Sequence, residues 1–222
     1  MTEQFVEPKH VASPDESIIE WFQRNSRALI VGAVVIAAGT GAYWFYTRSV
    51  ELKNQQAERA LNTALQSVQA GNKALAQSDL QKVVDQYGDT QSGIEAGLIL
   101  AQINFNGGKV AEGVSLLEKL ASTSAATMDL QSIRGLIGDG QMEANKPAEA
   151  ARAYQQAADA ARTDADSSYQ LSKAARALLA AGDTSAAKTI WQKLAADPKG
   201  QGVAAEARVR LGEIEAKPAR KG

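Results

Sequence analysis

The chain has 222 residues, 45 % of them hydrophobic, a formal charge of −1 and no cysteine. A disordered chain is excluded, because this much apolar surface can fill a core, and so are disulfides, thiolate metal sites and a lipid-modified N-terminal Cys. Residues 1–27 carry three Lys/Arg against five Asp/Glu and residues 47–222 carry 21 against 20, so the basic face that phosphate neutralisation demands of a nucleic-acid binder is missing.

Abundant Ala, Gln and Leu with few aromatics and prolines predict an all-α chain. Residues 1–12 read as a disordered tail, and the single histidine, His10, falls in it, where a solvated side chain is expected and not a ligand or catalyst. Ser13-Pro14-Asp15-Glu16 has the form of a capping box with Pro at the first helical position. The helix it starts places Ile18, Ile19, Trp21 and Phe22 on one side, suited to a membrane interface ahead of Arg24 and Arg27.

Ala28 to Thr47 is a run of 20 residues without a charge. As a helix it is about 30 Å long, the thickness of a bilayer's hydrocarbon layer. Tyr43, Trp44, Phe45 and Tyr46 stand at one end and Trp21 and Phe22 before the other, as aromatic belts do. A transmembrane helix is expected over 28–47, with Gly32, Gly39 and Gly41 letting a partner helix approach closely. A buried core helix and a cleaved signal peptide are the competing readings. The first seldom runs this long without a charge, and the second needs a shorter, less acidic leader. Lys9, Arg24 and Arg27 before the segment balance Arg48, Lys53 and Arg59 after it, so charge leaves the topology open.

Strong helix formers continue from Glu51 to Gln69, so the membrane helix is expected to run on into the next domain. Breaks then recur at Gly71-Asn72, Gly108-Lys109, Asn145-Lys146 and Gly182-Asp183, each 37 residues after the last. That spacing marks an internal repeat. Ala64, Ala101, Gly138 and Ala175 form a small column before the breaks, and Ala76, Gly113, Ala150 and Ala187 form another after them. Small residues on opposed helices permit close crossing. Leu80, Leu117, Tyr154 and Trp191 form a large column, and Val68, Phe105, Met142 and Leu179 an apolar one. One more step of 37 reaches Gly212, so a helix over about 202–215 is expected to cap the stack as a half repeat.

These columns resemble the tetratricopeptide repeat, with its small residues at two fixed positions, a turn glycine and a large residue in the second helix. The resemblance implies an α-solenoid of about four helix pairs plus a capping helix. Departures are the period of 37, Asn145 in place of the turn glycine, missing aromatics in the first helices and a closing Pro only at Pro198; they imply longer loops and a less regular pitch. Function in such stacks lies on the concave face built from first helices. Its expected positions are Leu61 and Leu65, Leu98 and Gln102, Gly135 and Asp139, Ser172 and Arg176. Relatives that clamp a terminal carboxylate use Lys and Asn there, and this chain has neither. An apolar extended or helical segment is the expected occupant.

No enzyme is indicated: there is no Cys, no His after His10, no phosphate-binding Gly-rich loop and no H-E-x-x-H. The glycines of 135–141 follow repeat geometry. Neither a cofactor nor a small-molecule substrate is expected. Trp21-Phe22-Gln23-Arg24-Asn25-Ser26-Arg27-Ala28-Leu29-Ile30-Val31-Gly32, the exit Tyr43-Trp44-Phe45-Tyr46 and the helical array together resemble the bacterial YfgM-like family, an ancillary subunit of the SecYEG translocon. That resemblance implies a cytoplasmic tail over 1–27, a single inner-membrane span over 28–47 and a periplasmic repeat domain over 48–222. It also implies association with translocon subunits, periplasmic chaperones and exported chains. The alternatives are a scaffold subunit of another membrane complex and an envelope or division scaffold.

Overall fold

In this computed structural model residues 14–197 and 201–216 are described, with side chains described from Trp21 onwards and not for Gln201. His10, the tail around it and Ser13 of the capping box lie outside the described residues. All described elements are helices: α1 (Pro14–Gln69), α2 (Lys73–Tyr87), α3 (Gln91–Asn106), α4 (Val110–Ala121), α5 (Leu130–Glu143), α6 (Pro147–Asp159), α7 (Asp164–Ala180), α8 (Thr184–Ala195) and α9 (Gln201–Ala216), with a 3-10 turn at Ser124–Met128. The chain divides at Lys53 into two compact units.

The first unit holds the N-terminal part of α1. The helix is long and apolar enough to cross a membrane, with a mean hydropathy of 1.8 over its most apolar window, none of it buried. Ile30, Val34, Val35, Ile36, Tyr43, Trp44, Phe45 and Tyr46 are all exposed. A core helix would bury such residues against its own protein, and this one does not. Thr40 donates its hydroxyl to the Ile36 carbonyl and Thr47 to that of Trp44, so polar groups within the apolar run are satisfied inside the helix.

The second unit is a run of helix pairs. The C-terminal part of α1 pairs with α2, then α3 with α4, α5 with α6 and α7 with α8, and α9 packs last against α7 and α8. Each break in the sequence is the turn within a pair. Gly71, Gly108 and Gly182 have φ of 71°, 75° and 85°, and Asn145 completes the series at 57°. The left-handed region is open to glycine and, among side-chain residues, most readily to Asn and Asp, which is why the 37-residue period is punctuated by these two residue types. The next residue caps the second helix: Asn72 accepts from the Leu75 N–H and Asp183 from that of Ala186, while Pro147 opens α6 after Lys146.

Packing follows the columns. Both small columns are buried in all four pairs, and so is the large column Leu80, Leu117, Tyr154 and Trp191. A methyl at Gly138 would overlap the Tyr154 ring, and one at Gly113 would overlap the Phe105 ring. The helices of a pair therefore cross at their small residues while the large residues fill the space beside the crossing. One extended core runs from Leu61 to Ala153, and a further cluster closes the C-terminal end around Trp191, Ala175, Ala187, Leu194 and Ala207.

The N-terminal end of this stack faces water and is built for it. Gln56, Arg59, Thr63 and Gln66 of α1 are exposed, whereas the residues 37 further on, Gly93, Ala96, Leu100 and Ile103, are buried or half-buried. Terminal repeats need such a polar outer face.

Candidate functional site

Polar bridges link the layer of first helices, each helix to the next or to the residues that lead into it. Lys53 reaches Asp89 at 2.6 Å, Gln91 reaches Asp129 at 2.6 Å, Lys173 reaches Asp139 at 2.5 Å and Arg176 takes Glu206 in a two-pronged grip at 2.9 and 2.6 Å. The face of this layer is the candidate protein-binding groove. Towards its N-terminal end Leu65, Leu98, Ile99 and Leu136 are half-buried, packed on the core beneath yet still reaching solvent. That half offers apolar contact, with exposed Glu95 one turn before Leu98 and Ile99.

The other half is polar and self-satisfied. Asp139 accepts the Tyr154 hydroxyl at 2.6 Å as well as Lys173. The Lys173 ammonium also lies over the Tyr154 ring, 4.6 Å from its centre, and 5.8 Å from that of exposed Tyr169. Burial and the adjacent Asp139 carboxylate push the Tyr154 phenol well above its usual range, so it stays a neutral donor. Glu206 is held below the usual carboxylate range by its hydrogen bonds from Arg176, and Arg210 adds contacts to Glu206 at 3.6 Å and Glu213 at 2.9 Å.

Of the positions expected from sequence, Leu65, Leu98, Gln102, Asp139 and Arg176 reach the surface of this layer. Gln102 donates to Asn106 at 3.3 Å, and Asp139 and Arg176 are engaged as described. Leu61 is corrected from groove to core. It is 5 % exposed, and Gly135 and Ser172 in the same column are also buried. The physical reason is visible at Gly135, where an added Cβ would stand 3.1 Å from Nε2 of Gln170 on α7. At this point of the column a side chain of α7 lies against α5. Sequence reasoning missed Ile99, Leu136, Lys173 and Tyr169. Ile99, Leu136 and Lys173 share one column of the 37-residue period, directly after the one chosen, so the periodicity carried their signal. Gly32, Gly39 and Gly41 have nothing within 4 Å of where a Cβ would stand.

A family model described as a tetratricopeptide repeat-like domain matches residues 20–136, more than half of the chain. The chain belongs to the tetratricopeptide repeat-like domain family. No curated protein matches it. Among solved structures it is similar to TPR-like repeats of a candidate kinesin light chain from Podosopora anserina. One, a point-substituted form, has a TM-score of 0.53 at 18 % identity, covering 72 % of this chain and 90 % of that one. Another has a TM-score of 0.52 at 17 % identity, covering 75 % and 98 %. At such identity the likeness speaks for the fold alone. Repeats of this family are typically interaction scaffolds, and their presence here implies a protein-binding module.

Proposed function

We propose that the protein is a membrane-tethered binding module, anchored by the apolar part of α1, that serves the Sec translocon of a bacterial inner membrane. In this reading the tail is cytoplasmic and the repeats are periplasmic, where they link translocon subunits to periplasmic chaperones and newly exported chains. The observation that carries the binding mode is the division of the groove into an apolar half, Leu65, Leu98, Ile99 and Leu136, and a half whose charges are already paired. An acidic peptide finds no free clamp there, whereas an apolar extended or helical segment gains area without stranding a charge. Tethering raises the local concentration of the groove at the exit site. The resemblance of Trp21 to Gly32 and of the aromatic exit to the YfgM-like family supports the partner and the topology.

The test is in-cell crosslinking from photo-reactive residues at Leu65 and Leu98, with identification of the captured proteins. Translocon subunits, chaperones or exported chains support this function. Capture of subunits of an unrelated membrane complex, or of cell-wall enzymes, would replace it with a scaffold role. The open surroundings of Gly32, Gly39 and Gly41 favour a second reading, in which the membrane helix makes the essential contact. Under that reading Gly→Leu at these three positions disrupts assembly with the membrane partner and leaves crosslinking at Leu98 intact.

A further inference from the structure

One column of the 37-residue period holds Glu58, Glu95, Ser132, Tyr169 and Glu206. All five reach solvent, Glu206 as a half-buried residue. The C-terminal end shows what an acid in this column takes as its partner. Glu206 is gripped by Arg176, 30 residues before it on the preceding first helix, and contacted by Arg210, four residues after it on α9. The same two steps from Glu95 lead to Leu65 and Ile99. Where the C-terminal end supplies two guanidinium groups, the N-terminal half supplies two apolar side chains. Among the described residues neither the Glu58 nor the Glu95 carboxylate has an ion pair or hydrogen bond.

The cations that the first helices carry between Lys53 and Glu143 do not fill the gap. Lys53 is held by Asp89. Arg59 belongs to the column of the buried Ala96 and Ile133 and meets water at the N-terminal end of the stack. Arg134 lines a shallow cavity with Gln156 and Asp159 of α6. Asp129, at the start of α5, is met by the neutral amide of Gln91 and adds to the same sign of charge. The apolar strip of Leu65, Leu98, Ile99 and Leu136 is therefore bordered by carboxylates that the fold leaves unneutralised.

We propose that this half of the groove takes a basic amphipathic helix of a partner protein. Its apolar face lies on the leucines and Ile99, and arginines along one edge of that face meet Glu95 and Glu58. The inference rests on the reading of this layer as the binding groove and adds the charge of the occupant. The partner's arginines take the place that Arg176 and Arg210 fill at Glu206, where a guanidinium fork suits a carboxylate. Exposed ion pairs are individually weak, so apolar contact holds the segment while the carboxylates select and orient it.

The experiment uses the full-length protein in nanodiscs of zwitterionic lipid, with empty nanodiscs as the blank. Two capped, fluorescently labelled amphipathic peptides with the same leucine face are titrated by anisotropy, one edged with arginine and one with glutamine. The arginine peptide should bind about three- to tenfold more tightly, the gain of two exposed pairs, and this advantage should shrink as salt is raised. E58Q with E95Q should abolish it, and E58R with E95R should transfer it to a glutamate-edged peptide. Both positions are exposed, so circular dichroism melts of the variants should match the parent. Equal binding of the two peptides, with both crosslinking to a photo-reactive residue at Leu98, overturns the charge inference and leaves the groove standing. No binding by either peptide overturns both. An arginine advantage that survives E58Q with E95Q also overturns the proposal, as does crosslinking from position 95 in cells that yields only a dimer of this chain.

Discussion

The column of Ala64, Ala101, Gly138 and Ala175 invites replacement of Gly138 by the alanine that its repeats prefer. On helix propensity alone G138A stabilises by about 1 kcal/mol. The packing says otherwise, because the new methyl overlaps the Tyr154 ring, itself fixed by burial and by its hydrogen bond to Asp139. Overpacking of this kind costs about 1–3 kcal/mol, so the net effect is a loss of up to about 2 kcal/mol. Removing the ring separates the two contributions. In a Y154L background, with the leucine that stands at positions 80 and 117, G138A should recover its propensity gain of about 1 kcal/mol. The coupling between the two substitutions is then about 1–3 kcal/mol, and the cycle cancels the separate cost of losing the Asp139 hydrogen bond. Urea unfolding of the full chain in detergent, with hydrogen exchange of α5 and α6 as a local reading, measures all four corners. G138A stabilising by the same amount with and without Tyr154 would falsify the claim that this glycine exists for the ring.

Trp191 is fully buried among Ala175, Ala187, Leu194 and Ala207, so W191A should cost about 3–5 kcal/mol. Because a repeat stack is coupled mainly between neighbours, hydrogen exchange should accelerate across α7 to α9 and stay slow in α2 to α4; uniform acceleration would refute that. G108A and G182A place a Cβ at positive φ and should each destabilise by about 1–2 kcal/mol, while N145G changes stability by less than about 0.5 kcal/mol, since Asn already tolerates that region. Equal effects in thermal melts would remove the turn argument. Glu206 has a folded pKa below its ordinary value of 4.5, chiefly through its hydrogen bonds from Arg176. Its contribution is therefore present above pH 4.5 and lost as pH falls through the lowered value. E206Q should flatten the acid limb of the stability profile and cost less than about 1 kcal/mol at neutral pH, the pair being partly solvated; an unchanged acid limb would mean the pair contributes nothing.

What the sequence carried by itself was whatever repeats or runs. The uncharged segment 28–47 announces a helix of membrane-spanning length, and the 37-residue recurrence of Gly71, Gly108, Asn145 and Gly182 announces helix pairs, because only a few residue types accept a left-handed turn. The small and large columns identified the buried crossing in every pair. A column says which residues are alike; it does not say which neighbour covers them. Leu61 looked like groove and lies in the core cluster that runs to Ala153, an outcome set by how the helices pack and not by the residue's own chemistry. Asp139 and Arg176 looked like open ligand positions, and their ion pairs with Lys173 and Glu206 exist only because residues 34 and 30 positions away are brought alongside by the stacking. The half repeat of α9 was legible, since Gly212 stands one period after Ala175, but that Gly212 is exposed where Ala175 is buried was decided by packing alone.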